Sequence, residues 1–190
     1  MVTSARSRRL SGPQAREAAL SCAILALTSA ASYWLVRDVL TMIYSVSSAD
    51  DTLGGMWAVI ATVFVYRDSY GQTAAAALSR IAATAVSFVL CLAYLLILPP
   101  SVWGMAVLIG IGALAVMLMG RPGDAVTTGI TTAVVMIVAL LSPHDAWEQP
   151  ILRFFDTIIG VAVGLAAAWL SVWVSRRLGL PASSDRASAP

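Results

Sequence analysis

Apolar residues run almost unbroken through this chain, and the breaks between runs carry proline, glycine and charge. The first run extends from Ala18 to about Val36 and the second from Gly54 to Tyr66. The third covers Ile81 to Leu98 and stops at Pro99-Pro100. The fourth covers Val102 to Met119 and stops at Gly120-Arg-Pro-Gly123. The fifth covers Ala125 to Leu141 and stops at Ser142-Pro143; the sixth starts near Leu152 and ends at Arg176-Arg177. A full helical span needs about 20 apolar residues, and slightly fewer when its flanks snorkel. Five of the runs meet that length. The second has about 13 residues, or ~20 Å of helix, short of the ~30 Å hydrocarbon core. Either it extends through Tyr66, Ser69 and Tyr70 with Arg67 and Asp68 paired, or it is a half-helix buried by its neighbours.

Composition agrees with this pattern. Of 190 residues, 59% are hydrophobic and 12% charged, against roughly 25% charged in a soluble domain. The mean hydropathy is +0.83. Such a chain cannot cover itself with polar surface, so lipid is its solvent and a six-helix, all-α, polytopic membrane bundle is expected. Residues 1–17 read as a cytoplasmic tail, 18–177 as the transmembrane domain and 178–190 as a disordered tail. The N-terminal segment has a rival reading as a secretory signal, with Ser7-Arg-Arg9 before the apolar stretch and Ser29-Ala-Ala-Ser32 after it.

Charge sets the orientation. Every basic residue is arginine, and the net charge of +2 is too small to imply a nucleic-acid partner. With the N-terminus in the cytoplasm, six spans put Arg6, Arg8, Arg9, Arg16, Arg67, Arg80, Arg121, Arg176, Arg177 and Arg186 on one side. Only Arg37 and Arg153 fall outside, where Asp50, Asp51, Asp145 and Glu148 also lie. Both termini are therefore expected in the cytoplasm of a bacterium, with the bundle in its inner membrane.

One phrase occurs twice. Arg80-Ile-Ala-Ala-Thr84-Ala-Val-Ser87 and Arg153-Phe-Phe-Asp-Thr157-Ile-Ile-Gly160 each read Arg-x-x-x-Thr-x-x-small, and each opens an apolar run. Three crossings separate the copies, so the second is inverted relative to the first. This points to an inverted 3+3 repeat with a pseudo-two-fold axis in the membrane plane. On a helix the three positions share a face. Two readings of the arginines stay open. Each is either a guanidinium at a helix mouth, with a hydroxyl one turn deeper to guide an anion, or an interfacial anchor followed by ordinary packing. Asp156, at i+3 from Arg153, is either its ion-pair partner or a protonatable group that couples transport to a proton gradient.

Other residues carry less. Gly160-x-x-x-Gly164 is a small-xxx-small packing face. Thr127, Thr128, Thr131 and Thr132 either bond their own helix carbonyls or line a polar path. Five tryptophans fall near span ends, as an aromatic belt does, whereas Trp57 opens the short second run. Cys22 and Cys91 sit in apolar runs without a partner at ligand spacing, and His144 is a lone loop histidine, so no metal or cofactor is expected. No nucleophile elbow, phosphate-binding glycine loop or paired membrane carboxylate is present, which argues against an enzyme.

Gly55-Met-Trp57-Ala-Val-Ile-Ala-Thr-Val-Phe-Val65, Gly71-Gln-Thr73 and Arg80-Ile-Ala-Ala-Thr84 together resemble the core of the fusaric acid resistance, or aromatic acid exporter, superfamily. Arg153 to Gly160 matches that family's Arg-x-x-Asp-Thr-x-x-Gly opening of the sixth span. The resemblance covers Ala18 to Val174. Ala83 and Ser87 stand where the family usually has glycine, and Tyr66-Arg67-Asp68-Ser69 replaces its Gln-Pro-Ser. The resemblance implies efflux of small organic anions, aromatic carboxylates among them, by a minimal single-module member that assembles as a dimer or larger homo-oligomer. Arg80, Thr84, Arg153, Thr157 and Trp57 are then the expected substrate-binding residues. The rival expectation is a membrane scaffold or accessory subunit without transport of its own.

Overall fold

The computed structural model describes residues 12–39, 42, 47–67, 70–143 and 146–177. Residues 1–11 of the expected cytoplasmic tail, the expected disordered tail at 178–190, His144, Asp145, Asp68 and Ser69 lie outside the described residues. Among the described residues the structure is all helical, and six long helices follow one another. They are α1 (Gly12–Trp34), α2 (Ser48–Val65), α3 (Tyr70–Ile97), α4 (Val102–Leu118), α5 (Ala125–Leu141) and α6 (Glu148–Arg177). α1 continues into a wider, π-type turn at Leu35–Val39. By length and composition, four segments are long and apolar enough to cross a membrane: Ala18–Val39, Gly71–Ile97, Pro122–Leu141 and Glu148–Val174. The shorter apolar helix Val102–Leu118 lies between two of them.

Local chemistry fixes the helix ends. Ser47 caps α2, its side chain accepting from the Asp50 backbone N–H, and Asp50 and Asp51 occupy the first turn, where the helix dipole favours anions. Ser101 caps α4 in the same way through the Gly104 N–H at 3.0 Å. The Tyr94 hydroxyl reaches Ser101 Oγ at 2.9 Å and so ties the end of α3 to that cap. Gly104 makes room for this, because a Cβ there would collide with the Tyr94 ring and hydroxyl. α4 ends in a Schellman turn, with Gly120 at φ 76°, Gly120 N bonded to Met117 O and Arg121 N to Val116 O.

Four helices begin earlier than the apolar runs of the sequence reading: α1 at Gly12, not Ala18, and α6 at Glu148, not near Leu152, besides α2 and α3. α2 begins at Ser48, not Gly54, and its 18 residues make ~27 Å of helix, close to the hydrocarbon thickness. Its added first turn is polar, which hid it from a hydropathy reading. α3 begins at Tyr70, not Ile81, because Ala74 to Ala77 are strong helix formers whatever their polar neighbours. Thr73 secures the α2–α3 joint. Its hydroxyl accepts from the Arg67 N–H and donates to the Arg67 carbonyl.

The bundle is apolar outside and partly polar inside. Leu27, Leu78, Val89, Leu96, Leu114, Leu118, Val126 and Leu141 are exposed, whereas Ser32, Thr62, Thr84, Ser87, Thr128 and Thr132 are buried. Lipid accepts the first set. The second set forms where helices approach closely, as small and hydroxyl residues allow in membranes. Gly160 packs against the Ala58 carbonyl and Ala61, and Gly164 against Thr62 and Val65. The Thr62 hydroxyl lies 2.9 Å from Gly160 O, which bonds α2 to α6 directly.

The set of packed helix pairs has a notable property. Exchanging α1, α2, α3 for α4, α5, α6 leaves it unchanged: α1–α2 becomes α4–α5, α2–α6 becomes α5–α3, α1–α6 becomes α4–α3, and α2–α3 becomes α5–α6. The α3–α6 contact maps onto itself, and Phe88 of α3 stacks on Phe154 of α6 across it with centroids 5.0 Å apart. The two halves therefore pack alike, as a 3+3 repeat carrying the phrase on α3 and α6 does.

Candidate functional site

Both arginines of the repeated phrase are inside the protein. Arg80 is 3% exposed and Arg153 is 1% exposed, so both are covered by the protein's own side chains. Arg80 is not in the first turn of its helix, because α3 starts ten residues earlier. It nevertheless stands level with the start of α5, since the hydroxyl of the preceding residue, Ser79, donates to the carboxylate of Asp124.

The two arginines have different surroundings. Arg153 NH1 lies 3.1 Å from Asp156 Oδ2, an ion pair within α6. No N–H is aligned with that oxygen, so the pair neutralises charge without completing a hydrogen bond. Asp156 rests against Gly54 of α2, where a Cβ would come 3.0 Å from its carboxylate. Nearby, Gln149 donates to Asp50 across the α2–α6 contact at 3.0 Å. This end of the bundle therefore balances its buried cation internally.

Among the described residues Arg80 has no such partner. Its Nε, NH1 and NH2 are buried and make no hydrogen bond among the described residues. Its guanidinium lies 5.3 Å from the Trp57 ring centroid and 5.0 Å from that of Phe64, within cation–π range of both. The aromatic faces attract the cation but leave its N–H donors free. Those donors belong to a residue lining a cavity of about 250 Å³, together with Phe64, Arg67, Ala76, Ser79, Gly123, Asp124 and Thr127. This is slightly below the roughly 300–1,000 Å³ of pockets for drug-sized ligands. Arg153 does not line it, so the two arginines do not share this space.

Trp57 connects the two phrases. Its indole N–H donates to Thr157 Oγ1 at 2.9 Å, and Thr157 in turn donates to the Arg153 carbonyl at 2.8 Å. The same indole carries Arg80 on its face. Trp57 is buried in the middle of α2, not at a membrane surface, which explains why it departs from the belt pattern.

A hydroxyl face continues inward from Arg80. Thr84 and Thr128 are buried with no hydrogen bond to their hydroxyls among the described residues. One turn deeper the face closes: Ser87 donates to the Thr128 carbonyl at 3.0 Å, and Thr132 donates to Ser87 at 3.1 Å. Thr131 instead bonds the Thr127 carbonyl of its own helix. The fifth helix thus divides its threonines between local bonding and the α3 contact.

Sequence reasoning missed Asp124, Ser79 and Arg121. Asp124 is buried, takes the Ser79 hydrogen bond and pairs with Arg121 Nε at 2.7 Å. Its signal was an acid directly before an apolar run, in Arg121-Pro-Gly-Asp124, which was read only as a turn.

Buried unpaired guanidinium groups are costly in any low-dielectric interior, and in membrane helices they mark pathways for ions or charged solutes. No curated protein and no solved structure matches the chain. Residues 39–167 match the fusaric acid resistance protein-like family, and that span carries both arginine phrases and the cavity. The chain belongs to the fusaric acid resistance protein-like family of membrane transport proteins.

Proposed function

We propose that the protein exports small organic anions, aromatic carboxylates among them, across the bacterial inner membrane, and that Arg80 is the residue that binds them. The observation that carries this reading is the buried Arg80 guanidinium, unpartnered among the described residues, in a cavity that Thr127 also lines. An anion there replaces lost solvation and meets charge-assisted donors. Phe64, also in the lining, offers an apolar face to the organic part. With arginine-rich joints on the cytoplasmic side, the cavity belongs to that side, between the end of α2 and the start of α5. An exporter loads from there. Thr84 and Thr157 extend the polar face inward from the two arginines, and Trp57 holds the faces together. Assembly as a homo-oligomer belongs to the same proposal.

Reconstituted liposomes test it. Wild-type protein is expected to carry benzoate, and Arg80→Gln to lose at least nine-tenths of that flux while inserting and eluting normally. Arg153→Gln, which disturbs an already neutralised site, is expected to reduce flux less. Equal flux through wild type and Arg80→Gln would overturn the role of Arg80. No flux of any organic anion through wild type, with a stable complex to another membrane protein, would favour a scaffold.

A further inference from the structure

Asp124 and Arg80 line one cavity, carry opposite charge, and are not paired. A carboxylate and a guanidinium in the same low-dielectric space attract strongly. Their separation therefore needs a cause, and the structure supplies one for each. Asp124 is held by the Ser79 hydroxyl and by Arg121 Nε at 2.7 Å. Arg80 is held by the faces of Trp57 and Phe64. The Asp124–Arg121 ion pair has no aligned N–H on Oδ2, so that oxygen still has acceptor capacity. Arg121 is about one-third exposed and can recover water when released. The turn bearing Asp124 also has room, because nothing lies within 4 Å of a Cβ added at Gly123.

The repeat gives an independent indication. Ala58 and Thr62 of α2 meet Gly160, while Thr128 and Thr132 of α5 meet Ser87. Gly160 and Ser87 occupy the same place in the two phrases. Ala58 therefore corresponds to Thr128 and Thr62 to Thr132, which makes Asp124 the counterpart of Gly54. Gly54 is the residue against which Asp156 rests while it neutralises Arg153. The counterpart of Asp156 on α3 is Ala83. Each end of the bundle thus has one arginine and one acid around the same helix contact. At one end the acid sits on the arginine's own helix and is engaged. At the other it sits at the N-cap of the facing helix and is held aside.

We infer that Asp124 is a built-in competitor for the Arg80 anion site. With Asp124 on Ser79 and Arg121, Arg80 is open and takes an anion. When Asp124 leaves those partners it pairs with Arg80, displaces the anion and returns the site to internal neutrality. Release then costs less than leaving a bare guanidinium in the interior. This inference rests on the reading of the Arg80 cavity as an anion site.

Equilibrium binding of benzoate to the full-length protein in detergent tests it, with size-exclusion elution as the check on folding. Asp124→Asn removes the competitor and is expected to tighten binding roughly tenfold while slowing export in liposomes. Arg121→Gln and Ser79→Ala each free Asp124 to engage Arg80 and are expected to weaken binding by roughly five- to tenfold, within the usual range of such couplings. Opposite signs from the two ends of one ion pair are the signature. A shift of the same sign in Asp124→Asn and Arg121→Gln, or none in either, overturns the inference and leaves the Arg80 site standing. If Asp124→Asn does not fold, opposite or absent shifts in Arg121→Gln and Ser79→Ala overturn it alone. No benzoate binding by wild type, or undiminished binding by Arg80→Gln, overturns the anion site and this inference with it.

Discussion

At the scale of single residues, the two buried arginines separate neutralisation from availability. Arg153 and Asp156 form a buried pair, so removing one charge leaves the other uncompensated, at a cost of about 3–5 kcal/mol. Asp156→Asn is expected to lower the detergent unfolding temperature markedly, and the double variant Arg153→Gln with Asp156→Asn to recover most of the loss. If the double variant is as unstable as the single, the pair is not what balances this end. Trp57 has two separable roles. Trp57→Phe keeps an aromatic face for Arg80 but deletes the donor to Thr157, which still donates to the Arg153 carbonyl. The expected cost is about 1 kcal/mol in stability with benzoate affinity nearly retained. Trp57→Leu also removes the face and is expected to weaken benzoate binding severalfold. Equal affinities in the two variants would show that the ring does not position the guanidinium.

At the scale of helices, close approach is the organising fact. A side chain at Gly160 would meet the Ala58 carbonyl and the Ala61 methyl, so α2 and α6 pack backbone to backbone there. Gly160→Val is expected to cost about 1–3 kcal/mol or more and to break the Thr62 bond to the Gly160 carbonyl, read as loss of monodisperse protein on elution. Gly110→Val, where nothing lies within 4 Å of an added Cβ, is the matched control and is expected to behave as wild type. Much of this level was legible in the sequence. The ends of α3, α4 and α5 follow from Pro99-Pro100, Gly120-Arg-Pro-Gly123 and Ser142-Pro143, which act locally on the backbone. The starts of α2 and α3 were not legible, because Ser48–Asp51 and Tyr70–Ser79 are polar or weakly apolar yet helical. Hydropathy reports what a segment meets in lipid, not where its hydrogen bonding begins. The repeated phrase located both arginines and, through Asp156 at i+3, the partner of Arg153. The Ser79 and Arg121 contacts that occupy Asp124 and the Trp57–Thr157 bond across 100 residues are not written in that phrase.

At the scale of the whole molecule, the exchange of halves turns the asymmetry between the arginines into a test of design. The Arg153 end places an acid on α6 against a glycine on α2. The Arg80 end places an alanine, Ala83, on α3, with its acid, Asp124, at the N-cap of α5. If the halves are equivalent frames differing in where the acid sits, the Arg80 end can be rewritten as the Arg153 end. The double variant Ala83→Asp with Asp124→Gly does this. The new carboxylate lies at i+3 from Arg80, as Asp156 does from Arg153, and the glycine removes the side chain that would crowd it. Arg80 then has an ion-pair partner on its own helix. The protein is expected to fold and elute as wild type does, and to lose benzoate binding by at least tenfold, equivalent to about 1.4 kcal/mol. Ala83→Asp alone brings two acids toward one contact and is expected to be less stable than the double variant. A double variant that folds and still binds benzoate as wild type does would show that the open state of Arg80 does not depend on the acid's place in the frame. The two halves would then share their packing without sharing the electrostatics built on it.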